Sequence, residues 1–212
     1  MNYTEIRAEV IDTLARSDTL VTDKVGTWIN RRQRLAAARH NFAFMLKEAT
    51  VAVSANPQGQ QDYALPADFK DERVIALQRT TDWIELPVRG HLEMIRTFGR
   101  TDKGEPIFVT LEPGTGTFRV WPPIPDAAYT VLFSYYAWPA DLSGTATNWL
   151  TDNFPNLLIA GAVAEGWRFL GELQAAQWWD SGLPSAPGRE QNPASFEAIL
   201  AKAIDADEGR LL

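Results

Sequence analysis

Few groups in this chain can do covalent or metal chemistry. There are two histidines, His40 and His91, and no cysteine. Residue type therefore excludes a thiolate nucleophile, a disulfide, a thiolate zinc site and a thiolate-held iron–sulfur cluster. The histidines form no HExxH arrangement, and neither stands in a motif that would make it the base of a Ser-His-Asp set. Carboxylates are the remaining acid–base groups. Asp141, Asp152, Glu165 and Glu172 are the candidates for general acid and base in glycoside hydrolysis, but their spacing singles out no pair. Glu165 is the sharpest case, because it interrupts the apolar run from Ala160 to Leu170, where burial would desolvate its charge. Arg168, three residues on, can pair with it on one helix face, so a structural ion pair is the first reading and a catalytic acid the second. No GxxxxGK[ST] occurs, and Gly114-Thr115-Gly116 lacks the third glycine and the strand-to-helix setting of a dinucleotide fingerprint. No catalytic residue, cofactor or metal is expected.

Aromatic residues are the other candidates. Trp83, Trp121, Tyr135, Tyr136 and Trp138 fall in or beside expected strands and could stack on sugars or bases, or else fill a core and a subunit interface. Trp178 and Trp179 are adjacent on an expected helix. Neighbouring helical positions lie about 100° apart, so the two cannot easily share one internal core, and one of them suits an anchor between subunits.

The elements that must position these residues come in three blocks. Apolar spacing predicts a helix over residues 4–16 with Thr4 as its cap, and a longer one from residue 22 or 23 to 41. Lys24, Arg31, Arg32, Arg34 and Arg39 lie off the apolar stripe of the second helix. They read first as a solvated face and second as a contact for an acidic partner or DNA. Strand signals follow at residues 49–53, 63–66, 73–78, 83–88, 107–111, 118–121 and 130–136, with one short helix at 91–98. The helical pattern returns at 156–170, apolar nearly all round and so expected to be central, then at 172–180 and, beyond a Pro-rich interval at 181–193, at 194–210. The expected fold class is thus α+β. A helical bundle built from residues 1–47 and 146–212 carries a strand-rich insertion at 48–145.

Composition adds limits. At 212 residues the chain is long enough for one or two domains. Twenty Lys plus Arg against 27 Asp plus Glu leave a net charge of −7, which opposes tight binding to phosphates. The longest apolar or glycine run, Leu157 to Ala164, is too short to span a membrane, and the N-terminus has no signal-like pattern, so no membrane partner is expected.

The segment Asn148-Trp149-Leu150-Thr151-Asp152-Asn153-Phe154-Pro155-Asn156-Leu157-Leu158, continuing through Ala162-Val163-Ala164-Glu165-Gly166-Trp167-Arg168-Phe169-Leu170-Gly171, resembles the bacteriophage head-to-tail adaptor family. Tyr63-Ala64-Leu65-Pro66-Ala67-Asp68-Phe69, Tyr135-Tyr136 with Pro139 and Leu142, and Trp28-Ile29-Asn30 extend the likeness over nearly the whole chain. The Pro-rich interval at 181–193 departs from the pattern. The resemblance implies a non-enzymatic virion protein at the head-tail junction, assembled in the host cytoplasm. It implies a homo-oligomeric ring, usually of twelve copies, docked below the portal protein, with a tail or nozzle protein beneath and genomic DNA passing through the channel without specific binding. The residues then expected at partner interfaces are Arg31, Arg32, Arg34 and Arg39, Trp178 and Trp179, and Phe196, Leu211 and Leu212. A carbohydrate-binding module of a phage tail and a glycoside hydrolase are the alternatives.

Overall fold

The computed structural model describes residues 1–55, 62–182 and 192–209. The chain divides into two compact units, Met1–Phe44 with Pro139–Leu212, and Met45–Trp138. The fold is α+β, with helices at both ends of the chain and strands between them.

In the first unit, α1 (Tyr3–Leu14) starts one residue earlier than its apolar spacing suggests. Asn2, not Thr4, is the cap, and Glu5 returns the hydrogen bond in a capping box. Asp18 caps α2 (Thr19–Arg39) by accepting from the Val21 N–H. After the strands come α4 (Trp149–Asn153), α5 (Pro155–Phe169), α6 (Leu173–Ser181) and α7 (Phe196–Glu208). Pro155 opens α5 at a position where its missing N–H costs nothing. Every residue from Leu157 to Ala164 is buried, because α1, α2, α6 and α7 all pack on α5. Each fully buried Leu, Ile or Val contributes about 1.5–3 kcal/mol, so this helix is the centre of the unit's stability. Gly182 ends α6 with φ at +71°; a Cβ there would lie 2.8 Å from the Asn192 carbonyl oxygen and the Ser195 Oγ.

The second unit opens on β1 (Leu46–Val53) and continues through β2 (Tyr63–Ala64), β3 (Phe69–Gln78), β4 (Trp83–Glu85) and α3 (His91–Thr97). It then runs through β5 (Lys103–Gly104), β6 (Phe108–Glu112), β7 (Thr117–Trp121), β8 (Ile124–Pro125) and β9 (Tyr129–Ala137). Four strands form an antiparallel sheet in the order β1-β9-β3-β4, three form the sheet β2-β7-β6, and β5 pairs β8 in parallel. Along β9, Val131, Phe133, Tyr135 and Ala137 are buried and alternate with half-buried Leu132, Ser134 and Tyr136. The inward set joins Val53, Ile75, Leu77, Val109 and Phe118 in one core. Strand register puts the other set on the opposite face, where Glu48, Ser134 and Val74 form one row and Thr50, Leu132, Ala76 and Glu85 the next. A third row there is Ala52, Thr130, Gln78 and Trp83.

Candidate functional site

The arginines of α2 are where the structure departs most from a plain amphipathic reading. Arg31 and Arg34 are exposed, but Arg32 keeps only 3% of its side-chain surface. A buried guanidinium must be paired, and its partners come from distant parts of the chain. Arg32 Nη2 lies 2.7 Å from Glu165 Oε1 on α5, and Nη1 lies 2.5 Å from Asp180 Oδ1 on α6. Arg168 spans the same two carboxylates, reaching Glu165 at 3.2 Å and Asp180 through its other terminal nitrogen. Arg31 adds a contact of 3.3 Å to Glu165 Oε2. Burial alone would raise the Asp180 pKa, but Arg168 and Arg32 outweigh it and hold the carboxyl below its ordinary value.

Space for the Arg32 stem comes from Gly161 of α5. A Cβ at that position would sit 2.7 Å from Arg32 Cγ and 2.8 Å from Phe196 Cδ2. Phe196 is fully buried under the guanidinium, which stands 4.9 Å from its ring centroid. Arg32 Nε is buried with no hydrogen-bond partner among the described residues. Arg39 leans on the same ring at 5.9 Å and pairs with Glu197 at 2.5 Å. The expectation of a solvated or partner-facing position is therefore corrected for Arg32, and the expectation of a partner-facing position for Phe196. Both are internal, clamped between α2, α5, α6 and α7.

The other interface candidates are placed differently. Arg31 and Arg34 line a cleft of about 590 Å³ with Asp23, Asn30 and Asp141, and Arg34 pairs with Asp141 at 3.0 Å. Trp178 and Trp179 are both half-buried. Trp179 lines a second groove, of about 430 Å³, with Glu9, Thr13, Asn156 and Ile159. Leu211 and Leu212 lie outside the described residues.

As acid–base groups the four carboxylate candidates do not converge. Both oxygens of Glu165 are held by guanidinium groups, Asp141 pairs with Arg34, Asp152 is exposed on α4 and Glu172 is exposed at the cap position before α6. Among the described residues no group of three or more His, Asp or Glu side chains could hold a metal ion. Of the aromatic candidates, Trp121 is buried and donates its indole N–H to Thr110 Oγ1 at 2.9 Å, so it is a core residue. Tyr135 is buried too, donating to Asp68 at 2.8 Å; burial first, then Asp68, pushes its phenol up to about 12. Trp83 and Trp138 remain exposed.

Two polar clusters had no sequence signal. Asp207, 1% exposed near the end of α7, accepts from the Ala43 N–H at 3.0 Å and from His40 Nε2 at 3.0 Å, which ties the last helix to the turn after α2. An acidic C-terminal stretch reads as solvated unless its acceptor sites are known to be filled. In the strand unit, Arg119 of β7 grips Asp62 through two nitrogens, Glu112 at 3.2 Å and His91 at 3.1 Å. Hydrogen bonding to Arg119 outweighs burial and lowers the Asp62 pKa.

A family model described as SU10 adaptor protein matches residues 1–195. No curated protein matches the chain. Among solved structures, a chain from the "Neck of native GTA particle computed with C12 symmetry" is 13% identical, over 92% of this chain and 85% of that one, with a TM-score of 0.26. A chain from the "Neck of empty GTA particle computed with C6 symmetry" is 14% identical, over 92% and 86%, also at 0.26. A TM-score of that size does not establish a common fold.

Proposed function

Because this chain belongs to the SU10 adaptor protein family, we propose that it is a structural, non-enzymatic adaptor at the head-to-tail junction of a phage or phage-like particle. The observation that carries this reading is the extent of the family match, which covers residues 1–195 and so takes in all of the strand-rich unit and the helical unit up to the start of α7. The finer reading is a ring, in twelve copies, that docks below the portal protein, meets a tail or nozzle protein on its other side and encloses a channel for the genome.

Several features support it. The net charge of −7 suits a channel wall that DNA must pass without adhering, since like charge opposes phosphate binding. Glu165 and Asp180 are taken up in ion pairs that brace α2, α5 and α6 against one another, which suits a load-bearing part and not a catalyst. Exposed Arg31 and Arg34, on the rim of the larger cleft, suit an acidic partner surface. The helical unit and the strand-rich unit then act as separate domains, one insertion within one frame.

The test is the native mass of the chain, alone and with the portal protein encoded beside it. A ring of fixed copy number in either sample is the expected result. A monomer indifferent to portal protein would overturn the adaptor reading.

A further inference from the structure

The short helix α3 is amphipathic in the wrong sense for a monomer. Met94, which is buried, marks its inner pole. At 100° per residue the opposite pole falls on Leu92 and Arg96, with Ile95 beside them. Leu92 is 72% exposed, more than any other large apolar side chain among the described residues, and Ile95 is 46% exposed. Arg96, and Arg100 three residues beyond the helix, are exposed and make no ion pair among the described residues. The outward surface of α3 thus presents Leu92 and Arg96, with Ile95 on one flank and exposed Glu93 on the other.

In the same unit the outer face of the four-stranded sheet has the complementary character. Its centre is Val74 (42% exposed) with half-buried Leu132 and Ser134, and exposed Trp83 stands in the third row. Glu48 lies on the edge strand β1 and Glu85 on the edge strand β4, both exposed and without an ion-pair partner among the described residues. Asp71, opposite Tyr136, adds a third carboxylate on that face, and the three rows contain no Lys or Arg; Arg73 sits in the bulge beside them. The two acidic edges are three strand spacings apart, about 14 Å, which accommodates a helix about 10 Å across.

We propose that α3 of one copy seats on the outer face of the four-stranded sheet of a second copy. Leu92 and Ile95 cover Val74 and Leu132, and Arg96 and Arg100 reach Glu48 and Glu85. The two surfaces differ, so the contact is heterologous: each copy offers a helix and receives one, and the series closes into a ring when the rotation per copy divides a full turn. This deepens the ring reading and rests on it for closure, although the contact itself is a property of this chain.

The absence of cysteine gives a direct test. Leu92→Cys and Val74→Cys are both exposed changes, and a flexible bismaleimide joins thiols held close together. The variant carrying both changes should give a ladder of covalent multimers, with and without portal protein. Neither single variant should ladder alone, and an equal mixture of the two should give dimers. Reversing Arg96 and Arg100 to Glu should weaken association at least tenfold, and Glu48→Lys with Glu85→Lys in the receiving copy should restore it. Dimers from a single variant, or no ladder from the double one, would overturn the assignment. A ring in the native-mass measurement without a ladder would sink this contact and leave the adaptor reading intact. A ladder without a ring would do the reverse.

Discussion

Replacing Gly161 by Ala is the sharpest stability test of the clamp. In an isolated helix the change would stabilise by about 1 kcal/mol, since glycine is the poorer helix former. In this chain the new methyl would stand 2.7 and 2.9 Å from Arg32 Cγ and Cδ, and 2.8 Å from Phe196 Cδ2. Neither neighbour can swing aside cheaply. Arg32 is held at its tip by Glu165 and Asp180, and Phe196 is fully buried beneath it. Overpacking of this kind costs about 1–3 kcal/mol. Adding the roughly 1 kcal/mol that anchored guanidinium bonds lose when forced off their optimum, and subtracting the roughly 1 kcal/mol of helix propensity gained, leaves a net destabilisation of about 1–3 kcal/mol. For a protein of this size that lowers Tm by about 2–12 °C. The assay is thermal unfolding followed by far-ultraviolet circular dichroism, which reports the helices. Phe196→Leu in the same chain should recover about 1 kcal/mol of the loss, because the two sites touch and their effects are not additive. An unchanged or raised Tm for Gly161→Ala would refute the clamp as described.

Three other outcomes follow from the same geometry. Asp207→Ala should cost about 2–4 kcal/mol in urea unfolding, because it removes the buried carboxylate that accepts from the half-buried Ala43 N–H and from His40. The folded Asp180 carboxyl has a pKa below its ordinary 3.8, so its stabilisation is complete above the unfolded value and is lost as pH falls through the folded one. Asp180→Asn should therefore flatten the acid limb of the stability curve below about pH 4 while lowering the plateau above it. Spectrophotometric titration should find three phenols ionising later than an ordinary tyrosine, Tyr63 raised by burial and Tyr129 and Tyr135 at about 12, and Tyr135→Phe should remove one of the three.

What the sequence made legible, and what it hid, divides by how far apart the deciding partners stand. The alternation in β9 and the apolar circumference of α5 are local patterns, and both elements are buried as those patterns imply. The Glu165–Arg168 pairing is three residues long and was equally visible. Arg32 looked like one more basic residue on a polar face, because its burial is decided by Glu165 and Asp180, more than a hundred residues away. The same distance hid Asp207, whose partners are at His40 and Ala43. The caps at Asn2 and Ser195, and α4 with its Asn148–Thr151 box, are single-residue signals that hydrophobic spacing does not register. The two-residue pair β5 and β8 is too short to carry a pattern of its own.

The pairing of β1 with β9 also governs how the chain is threaded. Leu46 stands opposite Tyr136, so the strand that leaves the helical frame and the strand that returns to it are neighbours, about 5 Å apart. Everything between them hangs from a single double-stranded stem. Cutting at that stem and joining Phe44 to Pro139 by a few flexible residues would leave the backbone of the frame unstretched. Residues could equally be added beyond the stem without moving either attachment point. Residues 45–138 thus begin and end at the two paired strands β1 and β9, and form one compact unit of their own.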